Sequence, residues 1–467
     1  MKSVLSFSFF FCYIFTYGQD VWTIEHALQH AEEHSFAIIQ ARHQILQADI
    51  DYRAAKQQRI PSLSASSNYN FNYGRTIDPT TNNFTGESNT SQSAGINAGV
   101  QLFSGGRIHK QVQDAGLSRE VAMLDKDATL QDIQLRVVES FFNVLFSKEN
   151  VTIAESNLSL LEEQRSRTAK QVDAGAMPQN ELLEIEAETA SAEQRLISAE
   201  NQLELASLQF KQLLRLPAEE DVALAYPDID DEAMRNWEVM PREELVTKGL
   251  KISPQIQSAD LQMDRAKLNI GIAKSRYSPS IGLGGSFNTN FSSVRRSSVL
   301  TGTQINEQQA YINGEAFTVG LESPIYQFNS IPYLDQLNEN WGLGLGLSLS
   351  IPIYSQGQLK AGVERAKIYY KDAVNYKEEV TQVQRQRYEQ TLLDMQSAHR
   401  SYMAALKSVE ASTRFFENIS MSYSLGASNN FELINAQNRK EQAELNLIIS
   451  KFDYLARRKS LEIFMKE

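Results

Sequence analysis

Cysteine is almost missing from this 467-residue chain, which has one, Cys12. With no other thiol, a disulfide, a thiolate nucleophile and a cysteine-ligated metal are all excluded from the rest of the sequence. Proline is scarce too, eleven in all, and long tracts without it leave room for long helices. Beyond the opening segment no run reaches ~18 consecutive apolar residues, so no membrane-spanning helix is expected. Positive charge is not in excess. Lys and Arg number 45 against 57 Asp and Glu, a net −12, which disfavours nucleic acid and anionic lipid surfaces as partners. Phosphate-binding loops, a G-x-S-x-G elbow and an HExxH pair are missing as well, so no enzyme, catalytic residue or cofactor is expected.

What is there begins with a secretory signal over residues 1–18. Lys2 supplies the positive start, Val4 to Tyr17 the apolar run, and Thr16-Tyr17-Gly18 the small flanks for cleavage before Gln19. Phe9-Phe10-Phe11 precede Cys12 where a lipid-anchored cysteine would have small residues. An exported chain without apolar helices must make any membrane contact through strands.

The chain then repeats itself. Ser35, Ile38, Ala41, Ala48, Ala55, Lys56, Pro61 and Ser62 return 218 residues later as Ser253, Ile256, Ala259, Ala266, Ala273, Lys274, Pro279 and Ser280. Further on the offset is 251: Phe103, Ser104, Gly106, Val112 and Ala115 answer to Tyr354, Ser355, Gly357, Val363 and Ala366, and Gly175, Glu181 and Leu182 to Gly426, Glu432 and Leu433. A duplication with one insertion of 33 residues accounts for both offsets. The domains follow: residues 19–217 a first repeat, 218–241 a linker, 242–467 a second repeat.

Each half reads helix, strand, strand, helix, helix. Val21 to Gln58 has neither proline nor glycine, and Ile108 to Val172 predicts about 100 Å of helix. Gly175-Ala176-Met177-Pro178 breaks it, because glycine suits a helix end and proline the first turn of the next. Glu181 to Arg215 continues as helix. The second half gives Glu243 to Arg276 with a kink or later start at Pro254, then Leu359 to Ser424, a break at Leu425 to Asn430, and Phe431 to Met465. Ile133, Val137, Val138, Phe141, Val144 and Leu145 sit at helical spacing, and Ala187, Ala190, Ala192, Ala199 and Ala206 allow close approach. Helices alone fit a soluble coiled-coil scaffold equally well.

Four segments, about 61–73, 94–103, 279–291 and 341–354, alternate with period two. Leu63, Ala65, Tyr69, Phe71 and Tyr73 oppose Ser62, Ser64, Ser66, Asn68, Asn70 and Asn72. Ile96, Ala98, Val100 and Leu102 oppose Asn97, Gly99 and Gln101, and Ile281, Leu283, Phe287 and Phe291 oppose small polar residues. From Trp341 to Ile353 every second residue is apolar, against Gly342, Gly344, Gly346, Ser348, Ser350 and Pro352. A soluble sheet would show Lys and Glu to water; small uncharged polar residues fit a transmembrane barrel interior, with a soluble scaffold or a surface adhesin as the alternatives. Tyr73, Phe103, Trp341 and Tyr354 near strand ends suit interfacial girdles. Four strands cannot close, and open edges in hydrocarbon leave backbone groups unpaired, so other copies must complete the barrel. Gly74 to Ser91 and Thr289 to Glu339 read as outer loops, the second longer.

These residues resemble the TolC-like outer-membrane efflux proteins over the length of the chain after the signal. The resemblance rests on the duplication, Pro61-Ser62-Leu63 and Pro279-Ser280-Ile281 opening strands, Val100 to Arg107 and Ile351 to Gln358 entering long helices, and the two tips, Gly175 to Glu181 and Gly426 to Glu432. It implies a homotrimer in outer-membrane lipid, a twelve-stranded barrel continued by an antiparallel α-helical tunnel in the periplasm. As partners it implies a periplasmic adaptor protein, docked on tips Gly175, Ala176, Met177, Gly426, Ala427 and Ser428, and an inner-membrane transporter. It implies too that residues 218–241 form an equatorial segment and that Glu181 and Glu432 narrow the periplasmic aperture with Tyr423. Asn435 stands where a second acid can sit and Ser428 where an arginine can bond the tyrosine. Both glutamates also suit the first turn of a helix simply by charge.

His26, His30 and His34, four apart with Glu33 adjacent, form a row that could hold Zn²⁺ or Cu²⁺. Such rows are more often a solvated helix face.

Overall fold

The computed structural model describes residues 21–77, 82, 84–86, 88–227 and 241–466. The signal, its cleavage site and Cys12 lie outside the described residues, as does 228–240 of the expected linker. The chain divides into a unit of helices (described residues up to Asp49, then Leu117–Arg265 and Lys371 onward) and a unit carrying the strands (Ile50–Gly116 and Ala266–Tyr370).

The helices of the two halves match in length. The first half has α1 (Ile24–His34, 11 residues), α2 (Phe36–Gln57, 22), α3 (Arg107–Asp173, 67) and α4 (Gln179–Leu214, 36). The second has α5 (Arg242–Ile252, 11), α6 (Pro254–Ser275, 22), α8 (Gln358–Ser424, 67) and α9 (Asn430–Met465, 36). Duplication is thus written in the elements themselves. No described helix is long and apolar enough to cross a membrane.

Val21 to Gln58 is two helices where the sequence reads as one. The break falls at Ser35, whose ψ of 132° leaves the helical region, and its counterpart Ser253 (ψ 117°) breaks the second half. Pro254 explains the second break, since its ring disfavours helical backbone at the residue before it. The first has no proline. There the freed carbonyl of His34 accepts a bond from Arg215 Nη1 at 2.7 Å, and the same guanidinium lies 3.7 Å over the Phe36 ring.

In the helical unit Val137, Val138, Phe141 and Leu145 of α3 are fully buried with Trp22, Ala27, Phe210, Leu214, Met395 and Tyr454 around them. Along α4, Ile185, Ala192, Ala199 and Ala206 are buried at strict seven-residue intervals, a coiled-coil seam. Ala187 and Ala190 are exposed instead, because they fall outside that interval.

The strand unit holds a four-stranded antiparallel sheet in the order β1 (Ser62–Asn72), β4 (Asn89–Ser104), β5 (Ser280–Ser292), β8 (Gly342–Ser350). Its register lines up Ala65, Ile96, Phe287 and Leu343, then Leu63, Ala98, Gly285 and Leu345, then Val100, Leu283 and Leu347. The apolar residues of all four strands therefore share one face, and Ser64, Asn97, Ser286 and Gly344 share the other. Leu102 does not join its row. It is the extra residue of a β-bulge, so Phe103 takes the place opposite Ile281, and Gln101 Nε2 donates to the Phe103 and Ile281 carbonyls at 2.7 and 2.8 Å. The last strand stops at Ser350, short of 354; Pro352, with no N–H, cannot extend the ladder.

The outer segments are not plain loops. Thr76–Ile77 (β2) pairs with Phe84–Thr85 (β3). Residues 289–339 complete β5, then form a long hairpin of β6 (Arg296–Ile312) and β7 (Glu315–Ser330), then a short helix α7 (Tyr333–Glu339). Asn313-Gly314, both with positive φ (55° and 92°), makes the tight turn.

Candidate functional site

The helical unit carries two groupings of turn and polar residues, the helix-hairpin tips and a polar seam. At each tip a long helix ends with the same bonding. Gly175 N–H donates to the Val172 carbonyl at 2.9 Å and Ala176 N–H to Gln171 at 2.8 Å. Gly426 N–H donates to the Tyr423 carbonyl at 3.0 Å and Ala427 N–H to Ser422 at 2.8 Å. Both glycines carry positive φ, 69° and 77°, which closes the helix in a Schellman turn. The next helix starts differently in the two copies. Asn429 caps α9 by accepting from Glu432 N–H at 2.8 Å, whereas Pro178 precedes α4 with no side-chain cap.

Glu181 and Glu432 hold equivalent positions, third in the first turns of α4 and α9. Glu432 is exposed; Glu181 is half-buried, and its Oε2 has no hydrogen-bond partner. Asn435, one turn on, is exposed and accepts from Arg439 Nε at 3.2 Å. Tyr423 is half-buried before its glycine, Met177 and Ser428 are half-buried, and Ala176 and Ala427 are exposed. Each tip thus brings its glycine, small residues and first-turn glutamate together.

The seam was not read from the sequence. Asn157 of α3 donates to Glu441 Oε2 of α9 at 2.5 Å and accepts from Gln437 Nε2 at 2.5 Å, while Gln164 donates to Gln437 Oε1 at 3.1 Å. Arg195 of α4 reaches both Glu188 (3.1 Å) and Glu441 (3.7 Å). Burial raises the Glu441 pKa; Arg195 pulls it down, and Glu188 and Glu444 push it up. A cavity of about 480 Å³ lies beside it, lined by Thr152, Asn157, Phe416, Gln437 and Glu441 among others. The signal was present: Gln437, Glu441 and Glu444 interrupt the apolar stripe of α9 at helical spacing. Polar side chains at such positions select one register between helices.

The histidine row is otherwise engaged. His30 Nε2 donates to the Leu214 carbonyl at 3.1 Å and His34 Nδ1 to the His30 carbonyl at 3.0 Å. His26 stacks on Trp22 and His34 on His30, with ring centroids 4.4 and 4.0 Å apart. Burial, with the neighbouring His34, lowers the His30 pKa. Among the described residues no group of three or more His, Cys, Asp or Glu is placed to hold a metal ion. Of the three, His30 is the one that reaches the end of α4, at the Leu214 carbonyl.

A sheet that gathers its apolar residues on one face, joined in sequence to two 67-residue helices, defines a membrane protein of mixed helix and transmembrane-strand construction. The sequence model of the outer membrane efflux protein family matches residues 27–214 and 245–463, and the chain belongs to that family. Membership places it in the outer membrane. Over 197 residues it is 27% identical to the cobalt-zinc-cadmium resistance protein CzcC of Cupriavidus metallidurans, covering 42% of this chain and 45% of that protein, so the match spans less than half the relative's length. The fold is shared with CusC (TM-score 0.74, 16% identity, 95% of this chain and 91% of that one). It is shared too with the open-state MtrE outer membrane channel of Neisseria gonorrhoeae (TM-score 0.70, 19% identity, 95% and 88%).

Proposed function

We propose that the protein is the exit duct of a tripartite efflux or type I secretion system, a passive conduit that works as a homotrimer. One observation carries the reading: both edge strands of the sheet, β1 and β8, are exposed along their length, with Leu345 82% and Leu63 75% accessible. In a bilayer an unpaired strand edge costs several kcal/mol per backbone group, about 2–7 each by transfer. Pairing β8 of one copy with β1 of the next removes every edge, and three copies give twelve strands, within the range of outer-membrane barrels. The small polar face then lines the pore.

On this reading the helical unit forms the periplasmic tunnel. A periplasmic adaptor binds the tips at Gly175, Ala176, Met177, Gly426, Ala427 and Ser428, linking the duct to an inner-membrane transporter. Glu181, Glu432, Asn435 and Tyr423 border the aperture. Three copies of Glu432 near one axis repel one another and attract cations. The names CzcC and CusC do not assign a cargo to this chain; the transporter selects it. The family's outer-membrane location speaks against the soluble-scaffold reading, and its description as an efflux protein favours the duct over a surface adhesin.

Single-channel recording tests the duct. Purified protein in a planar bilayer should give steps of uniform conductance and run on an unheated gel as a heat-labile trimer. Trimers that insert yet never conduct would sink the proposal.

A further inference from the structure

We infer that the short helix α7, Tyr333–Glu339, is an interfacial anchor that seats the sheet at the headgroup boundary of the outer leaflet, its partner being lipid. Three observations converge on it.

The first is where α7 lies. Tyr333 meets Phe291 edge-on with ring centroids 4.9 Å apart, and its hydroxyl donates to Gln92 Oε1 at 2.6 Å. Thr289 Oγ1 donates to the Leu337 carbonyl at 2.7 Å. By register Gln92, Thr289 and Phe291 all belong to the face of Ile96, Phe287 and Leu283. The helix therefore rests on the apolar face, at the end where the strands meet their loops, level with the row of Tyr69, Gln92 and Phe291.

The second is how firmly it is held. Gln336 is 1% exposed, and its side-chain amide stands in for a missing strand: Oε1 accepts from Ser292 N–H, and Nε2 donates to the Ser292 and Ile331 carbonyls, all at 3.0 Å. Asn340 Nδ2 donates to the Asn290 carbonyl at 2.7 Å, and its Oδ1 accepts from Arg295. Arg295 also reaches Glu339 at 3.3 Å.

The third is what this clamped element presents. Leu334 is 73% exposed, and Trp341, just beyond the helix and stacked on Phe287 with ring centroids 6.1 Å apart, is exposed too; Tyr333 at the helix start is 41% exposed. A rigidly bonded turn that presents a leucine, with Tyr333 bridging it to the sheet and an exposed Trp341 beside it, matches the boundary between acyl chains and headgroups, where Trp and Tyr concentrate. Continuity with the lipid-facing rows of Leu343, Leu345 and Leu347 points to lipid as the occupant.

The inference rests on the sheet spanning the outer membrane, and the test separates the two. Leu334→Cys, Leu347→Cys and Gln309→Cys, each with Cys12→Ala, are labelled with bimane and placed in phosphatidylcholine vesicles as heat-labile oligomers. Nitroxide lipids labelled near the headgroup or deep in the chain, and iodide in water, are the quenchers. The Leu334 probe should be blue-shifted relative to the Gln309 probe, quenched more by the shallow nitroxide than by the deep one, and shielded from iodide. Iodide quenching equal to that at Gln309, or shielding from all quenchers with cross-links between copies, would overturn the anchor. The Leu347 probe should respond most to the deep nitroxide; failure there would overturn the orientation of the sheet itself.

Discussion

Glu441 sits where helix packing has taken a carboxylate out of water, with Arg195 its cationic partner at 3.7 Å. Because burial raises its pKa above the ordinary 4.5, ionising it weakens the folded state. The folded form binds the proton more tightly than the unfolded form, so stability falls as pH rises from about 4.5 through the raised value. Glu441→Gln keeps the shape without the charge. Thermal melts of the two proteins between pH 4 and 8 should coincide at the acid end, with the wild type dropping below the variant as pH increases; a constant gap would refute this. At the tips, Gly175 and Gly426 need positive φ, which costs a side chain about 1–2 kcal/mol. Gly426→Val should therefore speed amide exchange at Ala427, whose N–H closes the turn, by roughly fivefold or more, equivalent to about 1 kcal/mol.

At the level of elements, strands and loop hairpin separate cleanly. β6 and β7 pair with each other alone, in a sheet distinct from the four strands β1, β4, β5 and β8. Replacing residues 297–329 by a short Gly-Ser link should leave heat-labile trimers and their conductance, read by gel and bilayer recording. Loss of trimers would show that the hairpin helps hold the copies together. A charge in the apolar row is another matter. Leu345, in the middle of β8 and opposite Gly285, meets hydrocarbon, where Lys costs about 2–4 kcal/mol near the bilayer midplane. Leu345→Lys should reduce membrane-inserted protein, measured by extraction, while Ser286→Lys on the opposite face should insert normally. Equal loss from both would contradict the assignment of faces.

For the whole molecule, the first-turn glutamates become important only when copies assemble. Within one chain Glu432 is an exposed residue beside an Asn cap, which a helix N-terminus favours on its own account. Around a three-fold axis its charges would add. Glu432→Gln should then lower cation over anion selectivity in reversal-potential measurements across a salt gradient, with stability unchanged. No change in selectivity would leave Glu432 a helix-start residue and nothing more.

Much of this was legible in the residues. Alternation from Trp341 to Ile353 has a repeat distance of two residues, and the duplication shows as offsets of 218 and 251, all countable along the chain. Asn313-Gly314 was an equally local signal for the β6–β7 turn, overlooked inside a segment rich in Asn, Ser and Thr. The break at Ser35 was not countable: it depends on Arg215 arriving from 181 positions along the chain to satisfy the His34 carbonyl. So does the seam, where Asn157 finds Glu441 across 284 positions, and the seat of α7, where Gln336 finds Ser292. Periodicity and duplication are properties of the chain alone, so the long helices, the faces of the strands and the doubled plan can be read from it. Whether a buried polar group is satisfied depends on which distant partner reaches it, and that is a matter of tertiary packing.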